Sequence, residues 1–233
     1  MKIGILKENK FGEKRVAIVP SSVSALSKKG YEFFVENGAG ILSNYSDNDY
    51  SNAGASIVDK NSIFECDIVC KVNSPAEEEI SSMKPGTLFI SLIQTIKEID
   101  CVRNLASQKI SAFSLNLLPR TTLAQKMDVL SSQANIAGYK AVLIASNHIG
   151  KYMPLLMTAA GTISPSRTLV IGAGVAGLQA IATAKRLGAQ VEAFDVRPEV
   201  KEQVESLGAK FVEVDSESSD GVGSGGYASE TSD

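Results

Sequence analysis

The stretch "TLVIGAGVAGLQAIATAKRLGAQVEAFD", residues 168–195, decides the fold. A short apolar run, TLVI, leads into Gly172, Gly174 and Gly177 at G-x-G-x-x-G spacing, and a helix-forming run, VAGLQAIATAKRLG, opens inside the motif. A second strand pattern, QVEAFD, ends at Asp195, 18 residues after Gly177. Strand, glycine turn, helix, second strand and terminal acid in register read as a β-α-β unit built to hold a dinucleotide. Gly172 allows the tight turn, Gly174 lets backbone approach a pyrophosphate, and Gly177 permits close packing of helix on strand. The helix N-terminus stabilises phosphate charge. The expected contacts are therefore Gly172, Ala173, Gly174, Val175 and Gly177 on the pyrophosphate side, and Asp195, Val196 and Arg197 on the adenosine side. The Asp195 carboxylate suits ribose hydroxyls and repels a 2′-phosphate, which favours NAD over NADP, while Arg197 weakens that preference by offering a phosphate partner. The same spacing also describes a structural turn with no ligand.

Outward from this unit, strand-like and helical runs alternate. Strands are expected at 2–6, 31–36, 67–72, 87–93, 110–115 and 210–215. Helices are expected at 21–30, with a serine N-cap and a Gly30 stop, and at 97–108. Strands separated by helical stretches imply an α/β protein with parallel sheets and helices on both faces. Residues 118–150 break the alternation, with apolar positions 123, 127, 130, 137, 141 and 144 near helical spacing, so a long helix or helix pair is expected there. The Ser/Gly-rich, acidic run after Asp215 reads as a mobile tail. The expected organisation is two Rossmann-like domains, 1–136 and 137–215, the second incomplete at its C-terminus, followed by a tail at 216–233.

Composition narrows the function classes. The 233 residues carry 23 basic and 26 acidic side chains, a net charge of −3 with no basic stripe for nucleic acid. No apolar run approaches the roughly 20 residues of a membrane span, and the N-terminus lacks a signal-peptide core. Cys66, Cys70 and Cys101 have no metal spacing. Cys66 and Cys70 are expected to share a strand face as buried free thiols.

Residues 119–139, "PRTTLAQKMDVLSSQANIAGY", are dense in polar groups. Gln125, Asp128 and Ser131 recur every three residues and would line one helix face, with Arg120 about a turn before them. Such side chains offer the donors and acceptors that a carboxamide ring needs, and an ionised Asp stabilises positive charge on an oxidised nicotinamide. A solvated polar helix face is the alternative.

This segment and the run from Gly172 to Phe211 closely resemble the NAD(H)-binding component of proton-translocating NAD(P) transhydrogenases. "MKIGILKENKFGEKRVAIVP" looks like the start of that family and of the related alanine dehydrogenases. The resemblance implies that Arg120, Gln125, Asp128 and Ser131 surround the nicotinamide of NAD(H). It also implies that Tyr227, in "GGYA", closes over bound nucleotide as part of a mobile loop. It implies NADP(H) bound by a partner, membrane and NADP-binding components, homodimerisation, and a cytoplasmic position at the inner membrane through those partners. The family's component continues further, so the resemblance implies a truncated chain, inactive without the remaining portion and its partner subunits.

Alanine dehydrogenases hold a keto-acid carboxylate with an Arg and a Lys and use a catalytic His. Arg15 and Lys71 match the first two positions, but the run "TLFISLIQTIK" (87–97) has no histidine, and His148 reads as a surface or packing residue. Losing that proton donor costs keto-acid reduction roughly 10²–10⁴ in rate. Hydride transfer between two nicotinamides needs no such donor, only positioning. The readings are thus a transhydrogenase NAD(H) component, an alanine-dehydrogenase-like enzyme, or an inactive fragment of a transhydrogenase subunit.

Overall fold

The computed structural model describes residues 1–119 and 121–213. Arg120, Tyr227 and the expected tail at 216–233 lie outside the described residues. The chain divides into two compact units, Met1–Pro119 and Arg120–Asp233.

The first unit runs β1 (Lys2–Ile5), α1 (Pro20–Ser27), β2 (Glu32–Glu36), α2 (Asp47–Asn52), β3 (Ala55–Val58), α3 (Lys60–Ile63), β4 (Ile68–Cys70), α4 (Glu77–Ser82), β5 (Leu88–Ser91), α5 (Ile99–Ser107) and β6 (Ser111–Ser114). The strands form one parallel sheet in the order β3-β2-β1-β4-β5-β6, the doubly wound arrangement. Along β1, β2, β4 and β5 neighbouring residues serve opposite cores. Ile3, Ile5, Phe33, Val35 and Cys70 pack with Val23 and Tyr50 on one side. Val69 and Phe89 pack with Ile63, Ile80 and Leu105 on the other. A sheet covered on both faces needs apolar residues at successive positions, which explains the short continuous runs such as KIGI.

Two local expectations change. Cys66 and Cys70 are buried and free, but they sit in opposite cores. Strand β4 begins only at Ile68, so Cys66 belongs to the turn after α3 and strand alternation does not apply to it. Helix α1 has Val19, not a serine, at its N-cap, because Pro20 takes the first helical position that its fixed φ suits. The pair α2–β3 has no counterpart among the expected elements, although Ser46 and Asp49 form a capping box that the S-x-x-D spacing encodes.

The second unit begins with α6 (Val129–His148), then a hairpin of β7 (Leu156–Thr158) and β8 (Gly161–Ile163). It continues with β9 (Arg167–Ile171), α7 (Val175–Arg186), β10 (Gln190–Phe194), α8 (Lys201–Ser206) and β11 (Lys210–Phe211). Among the described residues its parallel sheet runs β11-β10-β9. Its core gathers Ile181, Ala184, Val191, Ala193 and Val204, with Val142 of α6. By contacts the units divide between Pro119 and Arg120, and α6 packs along α7. Gly138 sits so close to α7 that a Cβ there would stand 2.0 Å from the Ala176 carbonyl oxygen. Asn135 Nδ2 also donates to Gln179 Oε1 at 3.1 Å. No described helix is long and apolar enough to cross a membrane.

Candidate functional site

The glycine turn links the end of β9 to α7. Gly172 has φ +93°, a conformation closed to most side chains, and its amide donates to the Phe194 carbonyl at 2.8 Å. A Cβ at Gly177 would lie 1.7 Å from the Gly172 carbonyl oxygen, so the helix rests directly on the turn. Gly174 is different. Its backbone is extended, with φ −75° and ψ −168°, and apart from chain neighbours no heavy atom lies within 4 Å of where a Cβ would stand. The space next to Gly174 is open, and helix geometry leaves the first-turn amides of α7 without intrahelical acceptors. Open space plus aimed donors fits a phosphate.

Asp195, just past β10, is buried and well supplied with donors. Its Oδ2 accepts the Ala173 amide at 2.6 Å and Arg197 Nη2 at 3.1 Å. Its Oδ1 accepts the Arg197 amide at 2.9 Å and Arg197 Nε at 3.0 Å. Burial pushes the carboxyl up, but the Arg197 guanidinium and the two backbone amides outweigh it, so the group sits below the usual carboxylate range. The acid is thereby fixed as an anion beside the glycine turn.

These groups line one cleft of about 880 Å³ within the second unit, which also takes in Leu130, Ser131 and Ala134 of α6 and Glu199 and Gln203 beyond β10. That volume lies near the upper end for ligand sites, about 300–1,000 Å³. Ser131, Gly172, Ala173, Gly174, Val175, Gly177, Asp195, Val196 and Arg197 all line it. The residues present therefore fit an adenine dinucleotide.

The polar trio differs from the expected stripe. Gln125 opens a single 3-10 turn, Gln125–Met127, and is exposed. Asp128 is the N-cap of α6, and Ser131 is the third residue of the helix. The Asp128 carboxylate accepts the Ser131 amide at 2.9 Å and the Ser131 hydroxyl at 2.6 Å. Spacing of three here marks a capped helix start, not one helix face. Through Ser131 the cap is tied to the cleft that holds the glycine turn. The Asp-x-x-Ser pattern was the available signal for it.

In the first unit, Arg15 and Lys71 both face acids. Arg15 Nε and Nη2 fork onto Glu13 at 2.8 and 2.7 Å. Lys71, fully buried, donates to Glu79 Oε2 at 2.7 Å and to Asn9 Oδ1 at 3.0 Å. Glu79 also meets Lys60 at 2.9 Å. His148 is exposed at the end of α6, with Nδ1 2.8 Å from the Ile144 carbonyl, a helix-end contact that puts its proton on Nδ1.

The family profile described as "Alanine dehydrogenase/PNT, N-terminal domain" matches residues 4–137, and the one described as "Alanine dehydrogenase/PNT, C-terminal domain" matches 141–225. The profiles meet inside α6, whereas the compact units part at 119/120. The chain is 44% identical to "NAD(P) transhydrogenase subunit alpha" of Haemophilus influenzae, over 97% of this chain and 44% of that protein. It is 35% identical to an alanine dehydrogenase of Staphylococcus saprophyticus, over 89% of this chain and 56% of that protein. The crystal structure of transhydrogenase from Sinorhizobium meliloti superposes with a TM-score of 0.89 at 45% identity, over 91% of this chain and 64% of that one. The chain spans 44% to 62% of the length of these and the other first curated relatives. On this match the chain belongs to the alanine dehydrogenase/PNT family.

Proposed function

We propose that the chain is the NAD(H)-binding portion of an NAD(P) transhydrogenase, serving hydride transfer between NADH and an NADP⁺ bound on a partner component, with proton translocation in membrane components. The observation that carries the reading is a cleft of the second unit, where the glycine turn, the Asp195 anion and the α6 start meet. In this reading the amides from Gly172 to Val175 hold the pyrophosphate, and Gly177 keeps α7 close enough for them to reach it. Asp195, with Val196 and Arg197 beside it, holds the adenosine ribose and excludes a 2′-phosphate by charge. Asp128, fixed by its cap with Ser131, places negative charge toward the ring, with Gln125 and Arg120 as carboxamide partners and Tyr227 closing over the nucleotide. NADH supplies the hydride, which carries both electrons and its proton, so positioning is what these residues contribute.

The names of the curated relatives support an alpha subunit working with partner subunits, and the resemblance supports a position at a membrane through those partners and a homodimer. Against keto-acid reduction stand Lys71, buried on Glu79, and Arg15, forked onto Glu13. Two measurements test the function. Calorimetric titration of the chain with NADH should give saturable binding. Addition of a chain supplying the part of the relatives that this one does not span, with the NADP-binding and membrane components, should give hydride transfer from NADH to an NADP⁺ analogue of shifted absorbance. NADH oxidation by pyruvate and ammonium, with no transfer in the reconstituted mixture, would sink the proposal in favour of an alanine dehydrogenase.

A further inference from the structure

The Asp195 carboxylate has about four acceptor positions, and four donors address it. Two of these donors are backbone amides, of Ala173 and Arg197, which hold the carboxylate's orientation without help. The other two are Nε and Nη2 of the Arg197 fork. A ribose offers two hydroxyl donors, the same number that the fork supplies. The fork therefore stands where an adenosine ribose would bind.

We propose that Arg197 is a displaceable gate on the ribose position: its guanidinium occupies Asp195 in the absence of nucleotide and must leave before the ribose hydroxyls take its place. The inference rests on the nucleotide-binding reading above. The closure is local. The same acid-x-arginine geometry recurs at Glu13 and Arg15, where the Arg15 amide, Nε and Nη2 all meet one carboxylate at 2.9, 2.8 and 2.7 Å. Such a fork closes with two residues' worth of chain and opens by side-chain rotation, leaving the backbone as it is. Glu199, two residues on, lines the same cleft and gives the displaced guanidinium a second carboxylate to face.

A displaced cation in the cleft also sets cofactor choice. With NADH it is a competitor that has been evicted. With NADPH the 2′-phosphate meets the Asp195 anion, and the displaced Arg197 is the countercharge that softens the repulsion. Removing the guanidinium therefore acts on the two cofactors with opposite signs.

The test is calorimetric titration of the chain and its Arg197→Ala and Arg197→Lys variants with NADH and with NADPH. Arg197→Ala should tighten NADH by about three- to tenfold, the factor by which a mostly closed gate lowers apparent affinity. The same variant should weaken NADPH. Arg197→Lys keeps charge but not the fork, so it should tighten NADH while retaining most NADPH affinity. Weakening of both cofactors, or no change in either, while wild type binds NADH, would overturn the gate and leave the nucleotide site standing. No NADH binding by any of the three chains would overturn the nucleotide reading and the gate with it.

Discussion

Gly138 of α6 lies against Ala176 of α7 so closely that a Cβ would stand 2.0 Å from the Ala176 carbonyl oxygen and 2.8 Å from its carbon. The contact is backbone against backbone, which cannot yield by a rotamer change. It is the point that sets how near Ser131, two turns earlier on α6, comes to the glycine turn that opens α7. Gly138→Ala should push the helices apart, costing about 1–3 kcal/mol as overpacking and weakening NADH binding together with stability. Urea unfolding and NADH titration on the same samples check it. Unchanged stability would mean that the helices are not in the contact described.

Two glycines of the turn should separate folding from binding. Gly177→Ala puts a methyl 1.7 Å from a carbonyl oxygen and should destabilise the second unit by more than about 1 kcal/mol. Gly174→Val enters open space at an extended backbone position that valine accepts, so the midpoint of thermal unfolding should barely move. Its side chain fills the approach to the amides, so NADH affinity should fall at least about tenfold, the effect of roughly 1.4 kcal/mol. If Gly174→Val bound NADH as tightly as wild type, the pyrophosphate would not lie on this turn.

Asp128 combines a cap and a charge, and asparagine pulls them apart. Asparagine caps helices as well as aspartate does, so Asp128→Asn should leave unfolding within about 0.5 kcal/mol of wild type, whereas Asp128→Ala should cost about 0.5–2 kcal/mol. If the charge serves the oxidised ring, Asp128→Asn should still slow hydride transfer in the reconstituted enzyme by an order of magnitude or more. Equal rates for Asp128→Asn and wild type would reduce the residue to a cap.

The regions of this structure that the sequence made legible are those where one residue type is the only physical solution. Gly172 needs a positive φ and Gly177 needs the absence of a Cβ, so their spacing read out the turn, the helix and the two strands that flank it. Asp195 was legible as the acid ending the second strand, but its full set of donors was not, because the Arg197 fork is a side-chain choice that no spacing encodes. The trio at 125, 128 and 131 misled because a repeat of three describes both a helix face and a cap with its N3 residue. The hairpin β7–β8 left no readable pattern because its two three-residue strands are too short for alternation to register. The opposite placement of Cys66 and Cys70 turned on a strand that starts only at Ile68, two residues after Cys66.

The buried pair in the first unit predicts how the protein responds to acid. Burial pushes the Glu79 carboxyl up, but Lys71, the Ala76 amide and Lys60 together bring it below its ordinary value of 4.5. Glu13 is drawn down to about 2 by the Arg15 fork, against the cost of burial and with further help from Asn73. Both folded values lie below the unfolded ones, so the stability these groups contribute is fully present above about pH 4.5 and is lost as pH falls through the folded values, which for Glu13 is about 2. Denaturant unfolding across that range should show the decline, and Glu79→Gln should remove its share of the slope. At neutral pH the same substitution leaves Lys71 buried without its counter-ion, at a cost of about 3–5 kcal/mol. The double variant Lys71→Met with Glu79→Leu should recover most of that loss, because an apolar pair of similar volume needs no desolvation of charge. If the double variant proved as unstable as the single, Lys71 would be held by something other than its pairing with Glu79, and the pH profile of Glu79→Gln would show whether that carboxylate contributes at all.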